Sequence, residues 1–235
     1  MIGRLWRSAA AIRQTLLDLL FPPRCVICRG ADAEWFCARC RSEIDRILPP
    51  LCDRCGRPLH APVCPYCLKL PLQIDGIRAM AFFEGNMRKA IHALKYEHRP
   101  ELARVLGSLL SDHLTAHPLP ADAITVVPLH STRERARGYN QSLLLAQTLG
   151  AQTNLPVWEN ALTRVRATRS QIELDAAQRH ANVQDAFTAD PRVAGMRLLL
   201  IDDVCTSGAT MDACSVALKQ RGVKSVWGLA LARGR

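Results

Sequence analysis

A repeated pattern of cysteines constrains the fold of this chain more than any other feature of its 235 residues. Eight of the ten cysteines form four Cys-x-x-Cys pairs, and the arrangement Cys-x2-Cys-x8-Cys-x2-Cys occurs twice with an offset of 27 positions. The eight residues are Cys25, Cys28, Cys37, Cys40, Cys52, Cys55, Cys64 and Cys67. A fixed spacing that recurs in this way marks an internal repeat. We therefore expect two copies of one small structural unit.

The repeat predicts two structural metal sites. A two-residue spacer lets both thiolates of a pair turn toward one ion, and two pairs supply the four sulfurs of a tetrahedral zinc site. Such a site has no open coordination position, so we expect two zinc ions that hold together a double zinc ribbon over residues 23–70. This segment has too few apolar side chains for a core, and metal binding would supply the missing folding free energy. The spacing leaves open whether the pairs combine sequentially or interleave.

Two other chemistries fit paired cysteines. A disulfide framework needs an oxidising compartment and therefore an export signal. The N-terminal stretch does not resemble a signal peptide, because Arg13 and Asp18 interrupt its apolar residues and no small-residue cleavage site follows. Iron in a rubredoxin-like site is the second alternative, because tetrahedral sulfur accepts either metal. We favour zinc and expect a cytoplasmic protein.

The N-terminus predicts an amphipathic helix over residues 1–22. Its apolar stripe is formed by Leu5, Ile12, Leu16, Leu19 and Leu20. Pro22 and Pro23 end the helix. No run reaches the roughly 20 apolar residues that span a bilayer, so we expect no transmembrane segment. The net charge of +10 suits an anionic partner, either nucleic acid or a phosphorylated metabolite.

Residues 73–235 alternate between strand-like and helix-like segments. This pattern predicts an α/β domain with a parallel sheet flanked by helices. The predicted strands cover residues 77–83, 124–128, 198–202 and 226–231. The predicted helices cover residues 101–114, 141–149 and 209–220.

The most informative segment of this domain runs from Leu198 to Thr210. A buried strand leads into Asp202 and Asp203, then into a hydroxyl-rich turn with Gly208, and then into a helix. Ligands bind at the carboxyl ends of parallel strands, and backbone N–H groups at a helix start form a cradle for a phosphate. The two acids are placed to accept hydrogen bonds from sugar hydroxyls or to bind Mg²⁺ through water.

Two alternatives apply to this segment. Acids cap turns and hydroxyls cap helices in many α/β proteins that bind no ligand there. A strand that ends in acids is also found in the Walker-B element of ATPases. The companion motif Gly-x4-Gly-Lys-[Ser/Thr] occurs nowhere in the chain, which argues against an ATPase.

The acid segment resembles the phosphoribosyl pyrophosphate (PRPP) motif of the type I phosphoribosyltransferases. The resemblance implies that Asp202 and Asp203 hold the ribose hydroxyls and that the following loop binds the 5′-phosphate. The residues of this loop are Thr206, Ser207, Gly208, Ala209 and Thr210. Cys205 and Ser207 depart from the usual Thr-Thr-Gly-Ala-Thr, but both are small, and we expect phosphate binding to be retained.

A wider set of motifs restricts the resemblance to one family. In chain order it consists of the four cysteine pairs, Leu94-Lys95-Tyr96, Val127-Pro128-Leu129, Arg137-Gly138-Tyr139-Asn140-Gln141, Arg179-x-x-Asn182, Ala186-Phe187 and the acid segment. Over essentially the whole chain, this ordered set resembles the ComF family of competence-associated proteins, which includes the GntX-like proteins. The resemblance implies a link to DNA uptake in natural transformation.

Basic residues complete the predicted site. Arg133, Arg137 and Gly138 follow the second predicted strand, at the position of the pyrophosphate loop, and planar guanidinium groups suit pyrophosphate oxygens. Lys95 is a further candidate for a pyrophosphate contact, although a surface lysine would show the same pattern. Residues 162–181 hold four arginines where such enzymes carry a loop that closes over substrate. A nucleic-acid-binding arm has a similar composition.

These features support two functional hypotheses. The first is an enzyme that binds Mg²⁺ and PRPP and transfers a phosphoribosyl group to an unknown acceptor, with Asp202, Asp203, Arg133 and Arg137 as catalytic residues. The second is a non-catalytic protein of the competence machinery that binds single-stranded DNA or docks a helicase or translocase. DNA binding should weaken steeply with salt, whereas PRPP binding should require magnesium and both acids.

Overall fold

The protein is described by a computed structural model that covers residues 23–32, 34–166 and 175–235. The predicted N-terminal helix over residues 1–22 lies outside the described residues, as does Arg169 of the predicted closing loop. Within the three described ranges, no helix combines the length and apolar character needed to cross a membrane.

Helices and strands alternate through the second part of the chain. The strands are β1 (Gly76–Phe82), β2 (Ala123–Val126), β3 (Leu162–Arg164), β4 (Phe187–Ala189), β5 (Arg197–Cys205) and β6 (Ser225–Arg233). The helices are α1 (Ala38–Ser42), α2 (Pro65–Lys69), α3 (Gly85–Tyr96), α4 (Leu102–Ala116), α5 (Ser131–Arg137), α6 (Gln141–Thr153), α7 (Ala176–Val183) and α8 (Ala209–Lys219). The four strands and three helices predicted for the α/β domain are all present.

The central sheet contains four parallel strands in the order β1-β6-β5-β2. Leu200 of β5 pairs with Thr125 on one side and with Gly228 on the other. A parallel sheet is covered by helices on both faces, which explains why β5 and β6 are almost continuous apolar runs. The predicted α/β class with a parallel sheet flanked by helices is confirmed.

The sheet separates two apolar cores. Successive side chains of a strand point to opposite faces, and β5 follows this rule. Leu199 packs in the core that contains Leu110 of α4 and Leu145 of α6, whereas Leu200 packs in the core that contains Met211 of α8. Each fully buried leucine stabilises the fold by roughly 1.5–3 kcal/mol. The end of β5 is therefore firmly held from both sides.

The cysteine-rich segment lies against the edge of this sheet. Ile47 N–H donates to the carbonyl of Met80 at 3.0 Å, and Ile77 N–H donates to the carbonyl of Arg54 at 2.8 Å. These bonds cover strand β1, whose unpaired backbone groups would otherwise be open to association with other chains. The boundaries predicted at residues 22, 70 and 73 stay predictions.

Some elements differ from the sequence-based expectation. The loop predicted between β2 and α6 contains helix α5, and the predicted closing loop over residues 162–181 includes strand β3 and most of helix α7. Helix α5 buries none of its residues, so it has no apolar stripe for periodicity to detect. Local capping explains why it forms: the His130 side chain accepts from the N–H of Thr132, and Gly138 ends the helix with φ 85°.

Candidate functional site

Strand β5 carries the predicted acid pair to the edge of the sheet. Residues 198–201 are fully buried, and Asp202 and Asp203 follow them toward the strand's carboxyl end. Gly208 then forms the N-cap of α8 with φ 87°, a left-handed conformation that favours glycine. A Cβ atom at this position would lie only 3.0 Å from Cδ1 of Ile77. The left-handed backbone angle therefore favours glycine in this turn, and an added Cβ would also require the Ile77 side chain to shift by a few tenths of an ångström.

The two acids have different surroundings. Asp202 Oδ1 accepts hydrogen bonds from Ser142 Oγ at 3.1 Å and from the N–H of Asp203 at 2.9 Å. Burial, and after it the charge of Asp203, raise the pKa of Asp202 to about 7. Asp203 is almost completely buried and forms an ion pair with Lys95, with 2.7 Å between Oδ2 and Nζ. Asp203 is therefore paired with a cation, whereas ionising Asp202 costs free energy.

Lys95 lies in the last turn of helix α3 and points into the site. Its side chain is only 18% exposed, which distinguishes it from a solvated surface lysine. The ion pair joins α3 to β5 and brings the Leu94-Lys95-Tyr96 motif next to the acid pair. Its predicted role toward pyrophosphate stays a prediction.

Helix α5 presents Arg133 and Arg137 to the same cavity. The Arg137 guanidinium donates to Oε1 of Gln141 and lies 5.4 Å from the ring centroid of Tyr96. Gly138 is exposed directly after the helix and is not among the residues that line the cavity. The two arginines are therefore carried on a capped helix and face the acid pair.

The cavity has a volume of about 690 Å³, which lies within the ordinary range for small-molecule sites. Its lining includes Lys95, Arg133, Arg137, Arg164, Asp202, Asp203 and Thr210. Among these, four basic side chains face two carboxylates. This excess of positive charge suits a polyanionic ligand.

The predicted phosphate loop borders this cavity. Thr206, Ser207, Gly208 and Ala209 line a small hollow that also contains Asp202 and Thr210. The Ser207 hydroxyl accepts from the N–H of Ala209 at 3.3 Å, so this side chain is engaged within the loop. Ser207 and Cys205 are both 3% exposed, which is consistent with the small residues expected at these two positions.

Several residues in the cavity or directly behind it were not identified as site residues from the sequence. The Ser142 hydroxyl donates a hydrogen bond to Asp202, and Gln141 accepts one from Arg137. Arg164 of β3 lines the cavity from within the predicted closing loop. Tyr96 and Gln141 belong to short motifs that the sequence had already singled out. Ser142 carries no comparable signal, because a serine in a helix is common and its partner lies 60 positions away.

The eight paired cysteines form two clusters. The first cluster is Cys25, Cys28, Cys37 and Cys40, and the second is Cys52, Cys55, Cys64 and Cys67. In each, the four sulfurs lie within 4.8 Å of one another, and the sulfurs of Cys55 and Cys64 are 3.7 Å apart. A tetrahedral site with Zn–S bonds of about 2.3 Å requires sulfurs about 3.8 Å apart. The donors therefore fit zinc, and the pairs combine sequentially.

Comparison with known proteins agrees with both parts of this description. The family model of the double zinc ribbon domain matches residues 16–69, and that of the phosphoribosyl transferase domain matches residues 96–234. Competence protein F of Haemophilus influenzae is 33% identical over 224 residues, which cover 89% of this chain and 97% of that protein. The chain belongs to the ComF family.

Other relatives of this ComF protein carry a different name. The DNA utilization protein YhgH of Escherichia coli strain K12 is 34% identical over 220 residues, which cover 88% of this chain and 96% of that protein. Among solved structures, the glutamine PRPP amidotransferase of B. subtilis in complex with ADP and GMP is 22% identical with a TM-score of 0.39. That match covers 57% of this chain and 26% of the amidotransferase.

Proposed function

We propose that this ComF protein binds PRPP together with Mg²⁺ and transfers its phosphoribosyl group to an acceptor. One observation carries the proposal: the acid pair of β5 and the arginines of α5 face each other across one cavity whose border is the glycine-containing loop before α8. PRPP has a sugar between a phosphate and a pyrophosphate, and the cavity offers acids between two regions rich in donors.

Each part of the ligand has a proposed partner. Asp202 and Asp203 accept hydrogen bonds from the ribose hydroxyls, and the loop Thr206–Thr210 binds the 5′-phosphate through backbone N–H groups. Arg133 and Arg137 bind the pyrophosphate, together with Lys95. Gly138 lies outside the cavity lining and its N–H donates to the carbonyl of Glu134, so its proposed role is to end the helix that carries the two arginines. The net positive charge among the cavity's side chains supports this assignment.

The reaction replaces one bond at the anomeric carbon of ribose. The bond between C1 and the pyrophosphate oxygen breaks, and pyrophosphate leaves with both electrons. An acceptor N–H or O–H forms the new bond to C1, and its proton passes to the released pyrophosphate. The guanidinium groups of Arg133 and Arg137 stabilise the charge that develops on the leaving group, so catalysis rests mainly on positioning and electrostatics.

The acid pair also fits a magnesium ion. Carboxylate oxygens are the ligands that this hard cation prefers, and a dication relieves the repulsion that contributes to the raised pKa of Asp202. Bound magnesium would neutralise charge on the pyrophosphate and favour its departure. Lys95 neutralises part of the same pair through Asp203.

Calorimetric titration with Mg²⁺ and PRPP tests the proposal. Zinc-loaded protein should bind with micromolar affinity, and Asp202→Asn and Asp203→Asn should each abolish detectable binding. Asp122→Asn is a matched control, because Asp122 accepts from Arg197 at the opposite end of β5. Folded protein with two zinc ions and no heat of binding would refute the proposal. If binding is found, release of pyrophosphate in the presence of candidate acceptors would identify the substrate.

We also propose a role in DNA uptake, because the relatives are named competence protein and DNA utilization protein. The chain could act there as an enzyme or as a binding protein for single-stranded DNA. Arg133 and Arg135 are exposed on α5, and the formal net charge of +10 supports contact with phosphates. A helicase or translocase of the uptake machinery is a further proposed partner.

A filter-binding titration with single-stranded DNA separates these roles. A protein that binds single-stranded DNA should lose about 300-fold or more in affinity between 50 and 200 mM salt if it contacts six or more phosphates. Its binding should survive Asp203→Asn and weaken in Arg133→Gln/Arg135→Gln. Binding that requires Asp203 and magnesium would instead assign DNA to the PRPP site, and no binding at low salt would exclude this role.

A further inference from the structure

The second cysteine cluster contacts the predicted phosphate loop directly. Arg57 Nη2 donates to the carbonyl of Thr206 at 3.0 Å, and Tyr66 Oη donates to the carbonyl of Ser207 at 2.9 Å. The two donors also contact each other, because the Arg57 guanidinium lies 3.7 Å from the ring centroid of Tyr66. Two successive carbonyls of the loop are therefore held by one stacked pair.

Both donors belong to the knuckles of the metal site. Arg57 lies two positions after Cys55, and its carbonyl accepts from the N–H of Cys52 at 2.8 Å. Tyr66 lies between Cys64 and Cys67 on helix α2. Because a structural metal ion sets the shape of the knuckles around it, the position of both side chains depends on the second cluster.

Holding a carbonyl also orients the next N–H group. The peptide unit is planar and trans, so its C=O and N–H bonds point in opposite directions. The carbonyl of Thr206 shares a peptide unit with the N–H of Ser207, and the carbonyl of Ser207 shares one with the N–H of Gly208. Fixing both carbonyls toward the cysteine cluster turns both N–H groups away from it.

We propose that Arg57 and Tyr66 are positioning residues for the 5′-phosphate, through which the second cysteine cluster sets the affinity of the loop. This inference rests on the proposed PRPP site. The cluster then does more than cover the edge of the sheet: it pre-orients two backbone donors. A preorganised donor binds more tightly because ligand binding need not order it.

Tyr66→Phe and Arg57→Met test the inference, with Arg54→Met as the matched control. Arg54 lies between two cysteines of the same cluster, Cys52 and Cys55. Its side chain also donates to a backbone carbonyl, at 2.7 Å, but the acceptor is Ile74 and not the loop. Tyr66→Phe removes only the hydroxyl and keeps the ring under Arg57. Zinc content and thermal unfolding identify variants that remain folded.

Two fragments of PRPP distinguish positioning from general loss of structure. Ribose 5-phosphate carries the group that binds the loop, whereas pyrophosphate does not. We expect Tyr66→Phe and Arg57→Met each to lower the affinity for ribose 5-phosphate about three- to tenfold, which is the size of one net hydrogen bond. The affinity for pyrophosphate should stay unchanged. Arg54→Met should change neither affinity. Ligand-detected NMR in magnesium-containing buffer measures both constants.

The remaining outcomes overturn the inference. If the wild-type protein binds PRPP but the folded variants bind ribose 5-phosphate as well as it does, the contacts only join the two parts of the chain. If a variant loses affinity for both fragments equally, the substitution acts through general disorder of the site. If the wild-type protein binds neither PRPP nor either fragment, the proposed function fails, and the inference fails with it.

Discussion

Asp202→Asn should make this protein more stable at pH 8, although it removes a proposed binding residue. In the folded protein the pKa of Asp202 rises from 3.8 to about 7 because of burial and the charge of Asp203. The folded state therefore holds the proton more tightly than the unfolded state does. Above pH 7 the ionised carboxylate destabilises the fold, and this penalty fades as the pH falls through 7 toward 4. Asparagine carries no such charge at any of these pH values.

The pKa values set the size of the effect. A change from 3.8 to about 7 corresponds to about 4 kcal/mol at about 1.36 kcal/mol per pKa unit, which is an upper limit. Asp202 is partly exposed and the charge of Lys95 offsets some of the penalty, so we expect about 2–4 kcal/mol at pH 8. Asparagine Oδ1 can still accept from Ser142 and from the N–H of residue 203, so the substitution removes neither hydrogen bond.

Thermal unfolding of zinc-loaded protein between pH 4 and pH 8 measures the difference. A gain of 3 kcal/mol corresponds to roughly 6–12 °C in Tm for a chain of this size, and it should vanish near pH 4. Asp122→Asn is the control with the opposite sign, because hydrogen bonds from Arg197 lower the pKa of Asp122 to about 2. That variant should be less stable at pH 8. A gain in Asp202→Asn that is equal at pH 5 and pH 8, or no gain at all, would refute the reasoning.

Three further predictions concern stability and metal content. Urea unfolding should show Gly208→Ala about 2–4 kcal/mol less stable than wild type, but Gly195→Ala, which has φ 78° and open space around it, only about 1–2 kcal/mol less stable. Lys95→Met should lower stability by about 2–4 kcal/mol because it leaves Asp203 buried without its cation. Adding Asp203→Asn should restore most of this loss, and a double variant no more stable than Lys95→Met would contradict the explanation. Cys64→Ser should reduce zinc from two ions per chain to about one by colorimetric release. Cys52→Ser/Cys64→Ser should still hold about one ion, because sequential pairing places both cysteines in the second cluster, and loss of both ions in this double variant would contradict that pairing.

Local sequence patterns predicted most of the fold. The apolar run before Asp202, the two acids and the glycine turn identify β5 and the start of α8, because strand burial and left-handed turns depend on a few consecutive residues. The cysteine repeat likewise predicted two metal sites from spacing alone. Helix α5 was missed because it is stabilised by caps and solvent-exposed residues and shows no apolar period.

Other features were decided only by the tertiary structure. The repeat could not determine which cysteine pairs combine, because sequential and interleaved clusters use the same spacings. The sequence left Lys95 either as a candidate for a pyrophosphate contact or as a surface lysine, and only the packing of α3 beside β5 placed it 2.7 Å from Asp203. The bond from Arg57 to Thr206 joins residues 149 positions apart. The sequence determined most secondary-structure elements and the chemical groups of the site through local backbone and burial preferences. Which of these groups contact each other depends on the order in which the sheet brings its strands together.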